Sequence, residues 1–62
     1  MTGQELRDIR KRLGLTQAAL AERLAVTTTT LARWERNELP VRESMARFVR
    51  LLHQVESEKK EA

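Results

Sequence analysis

The stretch QAALAERLAVTTTTLARWER, residues 17–36, decides the fold of this chain. Its first half has apolar residues along one side, at the spacing of a short amphipathic helix. These residues are Ala18, Leu20, Ala21 and Leu24. Its second half opens on four threonines, of which Thr27 is placed to cap a further helix with Leu31 and Trp34 on its inner side. The stretch therefore predicts two short helices joined by a tight break around Ala25.

Two short helices joined in this way form a helix-turn-helix, in which the second helix fits the major groove of DNA. The residues on either side also predict helices only. Thr2 caps a first helix that ends at Gly14, and Thr16 caps the second. Asn37, which tolerates left-handed backbone, ends the third helix ahead of Pro40.

From Val41 to about Glu58 there is no Gly, Pro or turn cluster, so this segment predicts one long helix. Its inward stripe is Val41, Met45, Phe48, Leu52 and Val55. Val49 and Leu51 widen the stripe beyond what three short helices can cover. The sequence therefore favours a homodimer, because a chain this small gains most from burial across a two-fold axis. The expected contacts are Val49, Leu51, Leu52 and Val55. The alternative is a helix fully docked in the monomer, with Leu51 partly exposed.

Length and composition exclude several classes of protein. With 62 residues the chain predicts a single domain over residues 1–58, followed by a charged, frayed tail at 59–62. It has no Cys, and its one imidazole, His53, lacks further ligands, so neither a metal site nor any other cofactor is expected. No nucleophile–base constellation or glycine-rich phosphate loop indicates an enzyme. No apolar run suggests a membrane span, and the expected location is the cytoplasm.

The excess positive charge lies in the half of the chain that contains the two short helices. The formal net charge is +3 and the isoelectric point is about 10.2, which points toward a polyanionic partner. Residues 1–36 hold seven Lys and Arg against four Asp and Glu, whereas residues 37–62 hold five of each. The two short helices thus belong to the basic half. The competing interpretation is that arginines merely keep a small helical protein soluble.

At this point the sequence resembles a known family. The matching residues are Leu13-Gly14-Leu15-Thr16-Gln17, Leu20-Ala21, Val26-Thr27, Thr30-Leu31 and Arg33-Trp34-Glu35. Together, at these separations, they resemble the phage repressor and Cro-type helix-turn-helix family, also called the XRE family. The resemblance spans residues 5–40. It implies an all-α, repressor-like compact bundle of four helices, or five if the segment after Pro40 is split. Helices two and three would form the helix-turn-helix, whereas the long last helix is predicted from the residues after Pro40 themselves.

The resemblance also implies roles for individual residues. Thr28, Thr29 and Arg33 match the positions that contact DNA bases, while Gln17 and Thr27 match contacts to the DNA backbone. Arg10 and Glu35 match an ion pair that ties helix one to helix three, and Arg10 is also expected to reach phosphate. Further backbone contacts are expected around the loop after helix three. These are Arg36, Asn37 and Arg42.

Two departures from the family pattern bear on these expectations. Ala25 stands where the family usually has Gly, and left-handed backbone at Ala costs about 1 kcal/mol relative to Gly. The family usually divides the segment after Pro40 into two helices, and here the sequence predicts one. The dimer geometry and the half-site spacing therefore do not carry over.

The sequence leaves three functional hypotheses. The leading one is a bacterial or phage sequence-specific DNA-binding transcription regulator that occupies a two-fold operator as a homodimer and acts as a repressor. The alternative is an antitoxin-type protein-interaction module that also binds DNA and whose last helix covers a toxin or another regulator. A third is that the chain is the DNA-binding fragment of a longer protein. As it stands, the chain is too short for a ligand-sensing domain of its own.

Overall fold

The chain folds into four α-helices, in the order predicted from its sequence. The computed structural model describes the backbone of residues 1–61 and the side chains of residues 1–58. The helices are α1 (Gly3–Arg12), α2 (Gln17–Leu24), α3 (Thr28–Glu35) and α4 (Glu43–Glu61). Within the described residues there is no strand, so the all-α prediction is confirmed and the segment after Pro40 contains one helix.

Each of the first three helices begins at a threonine whose hydroxyl accepts a hydrogen bond from a backbone amide three residues on. The three pairs are Thr2 with Glu5 at 3.1 Å, Thr16 with Ala19 at 3.1 Å, and Thr27 with Thr30 at 3.2 Å. Such a cap satisfies one of the amides that the first turn leaves unpaired, and its loss costs about 1 kcal/mol. The predicted starts of these helices are confirmed.

The same three helices end at residues with left-handed backbone. The residues are Gly14 (φ 70°), Ala25 (φ 57°) and Asn37 (φ 61°). After α2, the amide of Ala25 donates to the Glu22 carbonyl at 3.2 Å and that of Val26 donates to the Ala21 carbonyl at 3.0 Å. This paired arrangement is the Schellman motif, and corresponding bonds follow α1 and α3. The turn between α2 and α3 is thus built on an alanine in a conformation that glycine adopts more easily.

The core lies where α1, α2 and α3 meet, and α4 packs across α1. Its buried side chains come from all four helices. They are Leu6, Leu20, Ala21, Leu24, Leu31, Trp34 and Val49. Trp34 is 9 % exposed, so its predicted role in the core, rather than in the groove, is confirmed.

The orientation of α4 differs from the prediction. Val49 is completely buried, whereas Phe48, which was expected to face inward, is 45 % exposed. Both residues fit a helical period that includes Met45 and Leu52, so spacing alone allows either face to point inward. Ala46 is also completely buried, and its small side chain lets the backbone of α4 come close to the rest of the core. The structure therefore selects the face that carries the alanine.

Both ends of α4 lie further along the chain than predicted. The helix begins at Glu43 rather than at Val41, which stays non-helical and packs against the core from the connecting segment. The helix ends at Glu61 rather than at about Glu58. The predicted fraying of residues 59–62 stays a prediction, and Ala62 lies outside the described residues. None of the helices in the described part is long and apolar enough to cross a membrane.

Candidate nucleic-acid interface

α3 has two contrasting sides. Thr28, Thr29 and Arg33 are exposed on one side. Leu31, Trp34 and Glu35 are buried on the other. Thr29 and Arg33 are four residues apart and share one face of the helix, and Thr28 lies about 100° from Thr29, so the three exposed side chains fall within an arc of about 140°. The residues predicted to contact bases are therefore brought together and face solvent.

Threonine hydroxyl groups form hydrogen bonds with each other and with the backbone at the start of α3. The Thr27 hydroxyl donates to the Thr30 hydroxyl at 2.9 Å and accepts from the Thr30 amide at 3.2 Å. Its cap function is therefore accounted for within the chain. A contact from this hydroxyl to DNA would use its remaining acceptor side or break the bond to Thr30, so the structure favours Thr27 as a cap first.

Glu35, at the last position of α3, is where three helices meet. Its Oε2 accepts from Arg10 Nε of α1 at 2.7 Å, and its Oε1 accepts from Arg10 Nη2 at 3.2 Å. Arg10 Nη1 in turn donates to the Leu15 carbonyl, at 3.1 Å, just before α2 begins. Arg10 thus forms the ion pair that the resemblance implied, and all three of its nitrogens are engaged inside the chain.

Gln17, the first residue of α2, joins the same cluster. Its Nε2 donates to Glu35 Oε1 at 3.1 Å, and Arg7 Nε lies 3.6 Å from that oxygen. Sequence reasoning assigned Gln17 to the DNA backbone and did not predict this internal bond. Burial by itself would raise the pKa of Glu35, but hydrogen bonds from Arg10 and Gln17 and the charges of Arg10 and Arg7 outweigh it and hold the pKa below its ordinary value. Glu35 is therefore held as a carboxylate.

A second contact fixes the end of α3, and the sequence did not predict it. The Gly3 amide donates to Asn37 Oδ1 at 2.9 Å. A Cβ at Gly3 would lie 2.4 Å from the Glu35 carbonyl oxygen and 2.6 Å from that of Trp34. Only glycine lets the start of α1 come this close to the end of α3, and the only signal in the sequence was a poor helix former in a first turn. Asn37 uses its side-chain oxygen here, which leaves its NH₂ group for other partners.

A different charge cluster lies on the surface just beyond α3. Arg36 Nε donates to Glu38 Oε2 at 2.6 Å, and Arg36 Nη2 donates to Glu38 Oε1 at 3.4 Å. Arg33 Nε lies 3.7 Å from Glu38 Oε1. The Arg36 hydrogen bond holds the pKa of Glu38 below its ordinary value. Three of the predicted DNA contacts thus face a carboxylate of their own chain: Arg10 faces Glu35, and Arg33 and Arg36 face Glu38. Arg42, the remaining predicted cation, lies exposed before α4.

The predicted dimer contacts on α4 divide into two groups. Val49 is completely buried in the core of its own chain, so the prediction that it lies in a dimer interface is wrong. Leu52 is half-buried against the same core. Leu51 and Val55 are 57 % and 41 % exposed, and Phe48 joins them at 45 %. The apolar surface that α4 leaves uncovered is therefore Phe48, Leu51 and Val55, which we call the α4 stripe.

Comparison with known families agrees with this geometry. A family model described as helix-turn-helix matches residues 6–49, which include all of α2 and α3 and most of α1. Neither a curated protein nor a solved structure matches the chain. Among the described residues, no group of three or more His, Cys, Asp or Glu side chains is arranged to hold a metal ion.

Proposed function

Because the chain belongs to the helix-turn-helix family of the phage repressor and Cro type, we propose that it is a sequence-specific transcription regulator that inserts α3 into the major groove of DNA. The family itself is one of DNA-binding regulatory domains rather than of enzymes. The proposal goes further than the family, because it concerns this chain's reading residues, its oligomeric state and its repressor action.

The observation that carries the proposal is the way in which α3 is held. Its inner side is fixed at the far end by the Glu35 cluster and by the contact between Gly3 and Asn37. Its outer side bears no large apolar residue: Thr28, Thr29 and Arg33 are exposed there, and the small Ala32 between them is half-buried. A helix held in this way, with hydrogen-bonding side chains and no large apolar residue on its free face, suits the base edges of the major groove.

We assign the roles on the exposed face by their chemistry. Arg33 can donate two hydrogen bonds to O6 and N7 of a guanine, which discriminates against other bases by about 1–3 kcal/mol. Thr28 and Thr29 offer a hydroxyl and a methyl group each, which suits the methyl group of thymine. With such short side chains, direct reading is modest and the shape of the DNA contributes to site choice. Gln17, Thr27, Asn37 and Arg42 are proposed to hold the DNA backbone. The same role was expected of Arg10 and Arg36, but Arg10 is engaged by Glu35 and Leu15, and Arg36 is paired with Glu38.

The experiment that tests this proposal is a binding selection from genomic DNA fragments with the purified chain, followed by titration of the selected duplex at several salt concentrations. We expect enrichment of a common sequence and an affinity that falls by about 0.9 log units per log unit of salt for each phosphate engaged. A chain that enriches no sequence, or whose affinity is insensitive to salt, contradicts the proposal.

We further propose that the chain acts as a homodimer that blocks transcription by occupying a two-fold operator. The α4 stripe supports this, because three large apolar side chains at helical spacing remain exposed on a small domain. Leu51→Glu should then give a monomer in analytical ultracentrifugation. Arg50→Gln is the matched control, since it lowers the net charge by one as Leu51→Glu does but lies about 100° around the helix from Leu51. A dimer that survives Leu51→Glu would exclude the α4 stripe as the interface.

The α4 stripe also supports a second candidate function. An antitoxin-type module would use the same apolar side chains to cover a different protein while α3 binds DNA. The two candidates predict different behaviour of the chain alone. A stable homodimer favours the regulator, whereas a monomer that forms a complex of defined mass with the product of a neighbouring gene favours the antitoxin-type module.

A further inference from the structure

The pair formed by Arg36 and Glu38 lies at the end of the helix that we propose to insert into DNA. Glu38 is two residues beyond Arg36, and the left-handed backbone of Asn37 between them turns the chain back. The Glu38 amide also donates to the Arg33 carbonyl at 2.9 Å, which fixes the backbone of Glu38 against the last turn of α3. The fold thus sets the backbone position from which this carboxylate extends toward Arg36.

The contact itself is the kind that an arginine makes with a phosphate. Two guanidinium nitrogens of Arg36 face the two oxygens of Glu38, at 2.6 Å and 3.4 Å. Guanidinium groups recognise carboxylates and phosphates through the same fork of parallel hydrogen bonds. The Nε–Nη2 fork of Arg36 cannot hold both anions at once, so a phosphate that approaches this edge of Arg36 has to displace Glu38.

Exposure makes that displacement feasible. The side chains of Arg36 and Glu38 are 55 % and 47 % exposed, so solvent and salt screen the pair and either side chain can turn away. The carboxylate also lies 3.7 Å from Arg33 Nε, without the short contact that holds Arg36. Glu38 is therefore hydrogen-bonded to Arg36 but makes only a longer ion pair with Arg33.

From this arrangement we infer that Glu38 competes with DNA phosphate for Arg36 and thereby lowers the affinity and the salt dependence of DNA binding. The inference rests on the proposed function, because it concerns the same face of α3. Neutralising Glu38 should give the interface one additional phosphate contact. Arg33, which Glu38 does not hold at hydrogen-bonding distance, stays available for bases in either case.

The test measures binding of the chain to a labelled duplex of random sequence, by fluorescence anisotropy, over a range of salt concentrations. Glu38→Gln keeps the shape of the side chain and removes its charge. We expect it to tighten binding several-fold, at most about eightfold at 0.1 M salt, and to steepen the salt dependence by about 0.9 log units per log unit. Glu58→Gln makes the same change in net charge toward the far end of α4, where Glu58 pairs with Gln54. It should change binding less than twofold.

Arg36→Ala completes the cycle. In the wild type it should weaken binding less than twofold, because Arg36 is already occupied, whereas in the Glu38→Gln chain it should cancel the gain. Equal effects of Glu38→Gln and Glu58→Gln would overturn the competition, and so would an Arg36→Ala loss that is the same in both backgrounds. A wild-type chain that binds no duplex at any salt concentration would instead overturn the proposed function, and the inference with it.

Discussion

Two carboxylates three residues apart, Glu35 and Glu38, each face two arginines at nearly the same distances. Each has one arginine within hydrogen-bonding distance, at 2.7 Å and 2.6 Å, and a second at 3.6 Å and 3.7 Å. In each case the pKa lies below the ordinary value of a glutamate. They differ in exposure, since the side chain of Glu35 is 1 % exposed and that of Glu38 is 47 % exposed.

This difference in exposure gives the two carboxylates different roles. A buried carboxylate whose partners are removed is left without solvent, so the contact holds the fold together. An exposed carboxylate exchanges its partners with water and ions at little cost, so the contact can be replaced by a ligand. Glu35 therefore fixes where α3 lies, whereas Glu38 affects what α3 can bind.

The largest expected effect is on folding stability when the buried cluster loses its anion. Glu35→Ala removes the acceptor that Gln17 shares with the half-buried Arg10. We expect a loss of about 3 kcal/mol in the free energy of unfolding. Urea denaturation followed by circular dichroism measures it. Glu38→Ala is the matched control and should leave the free energy of unfolding nearly unchanged, because solvent screens its ion pairs. Similar losses in the two variants would remove the distinction between the clusters.

The next effect is on the pH dependence of that stability. Because the pKa of Glu35 is lower in the folded chain than its ordinary value of 4.5, its ionisation stabilises the fold fully above that value. The stabilisation is lost as the pH falls through 4.5 toward the lower folded pKa, where Glu35 takes up a proton.

Glu35→Gln isolates this contribution. The difference in unfolding free energy between wild type and Glu35→Gln should be largest near pH 7 and should shrink steadily below pH 4.5. Denaturant titrations at several pH values measure it. A difference that is constant between pH 7 and pH 3 would mean that the charge of Glu35 contributes nothing to folding.

The smallest expected effect concerns the turn that precedes α3. Ala25 has left-handed backbone, and Ala25→Gly relieves strain while making the unfolded chain more flexible, so we expect a gain of no more than about 1 kcal/mol. Gly14→Ala should lower stability by a similar amount, because a φ of 70° is strained for any residue with a Cβ. This strain applies even though a Cβ at Gly14 would meet no other atom within 4 Å. Thermal unfolding of both variants checks this. A loss in Ala25→Gly would show that the turn carries no strain.

Much of the fold could be predicted because its signals are local. Threonine caps and left-handed residues such as Asn37 act within a few residues of the chain, so the ends of the first three helices follow from neighbouring residues. The family resemblance supplied the pair of Arg10 with Glu35. The inner face of α4 could not be predicted in this way, because the helical period fits Phe48 and Val49 equally well and only packing against the other helices decides between them.

The parts of the candidate interface that were not predicted depend on contacts between distant residues. The requirement for Gly3 appears only when α1 meets the carbonyl groups at the end of α3. The internal bond of Gln17 exists because α2 begins beside Glu35. Glu38 faces Arg36 because the chain reverses at Asn37. The sequence predicted the left-handed backbone of Asn37 but not the ion pair that results from it.

Whether α3 reads DNA through its exposed face is tested by the affinity of Arg33→Ala for a selected duplex and for duplexes with single base-pair changes. Arg33→Ala should bind the selected duplex more weakly by about 1–3 kcal/mol and should no longer discriminate at one base pair of each half-site, while discrimination elsewhere is kept. An equal weakening on every duplex, or no weakening at all, would contradict the claim.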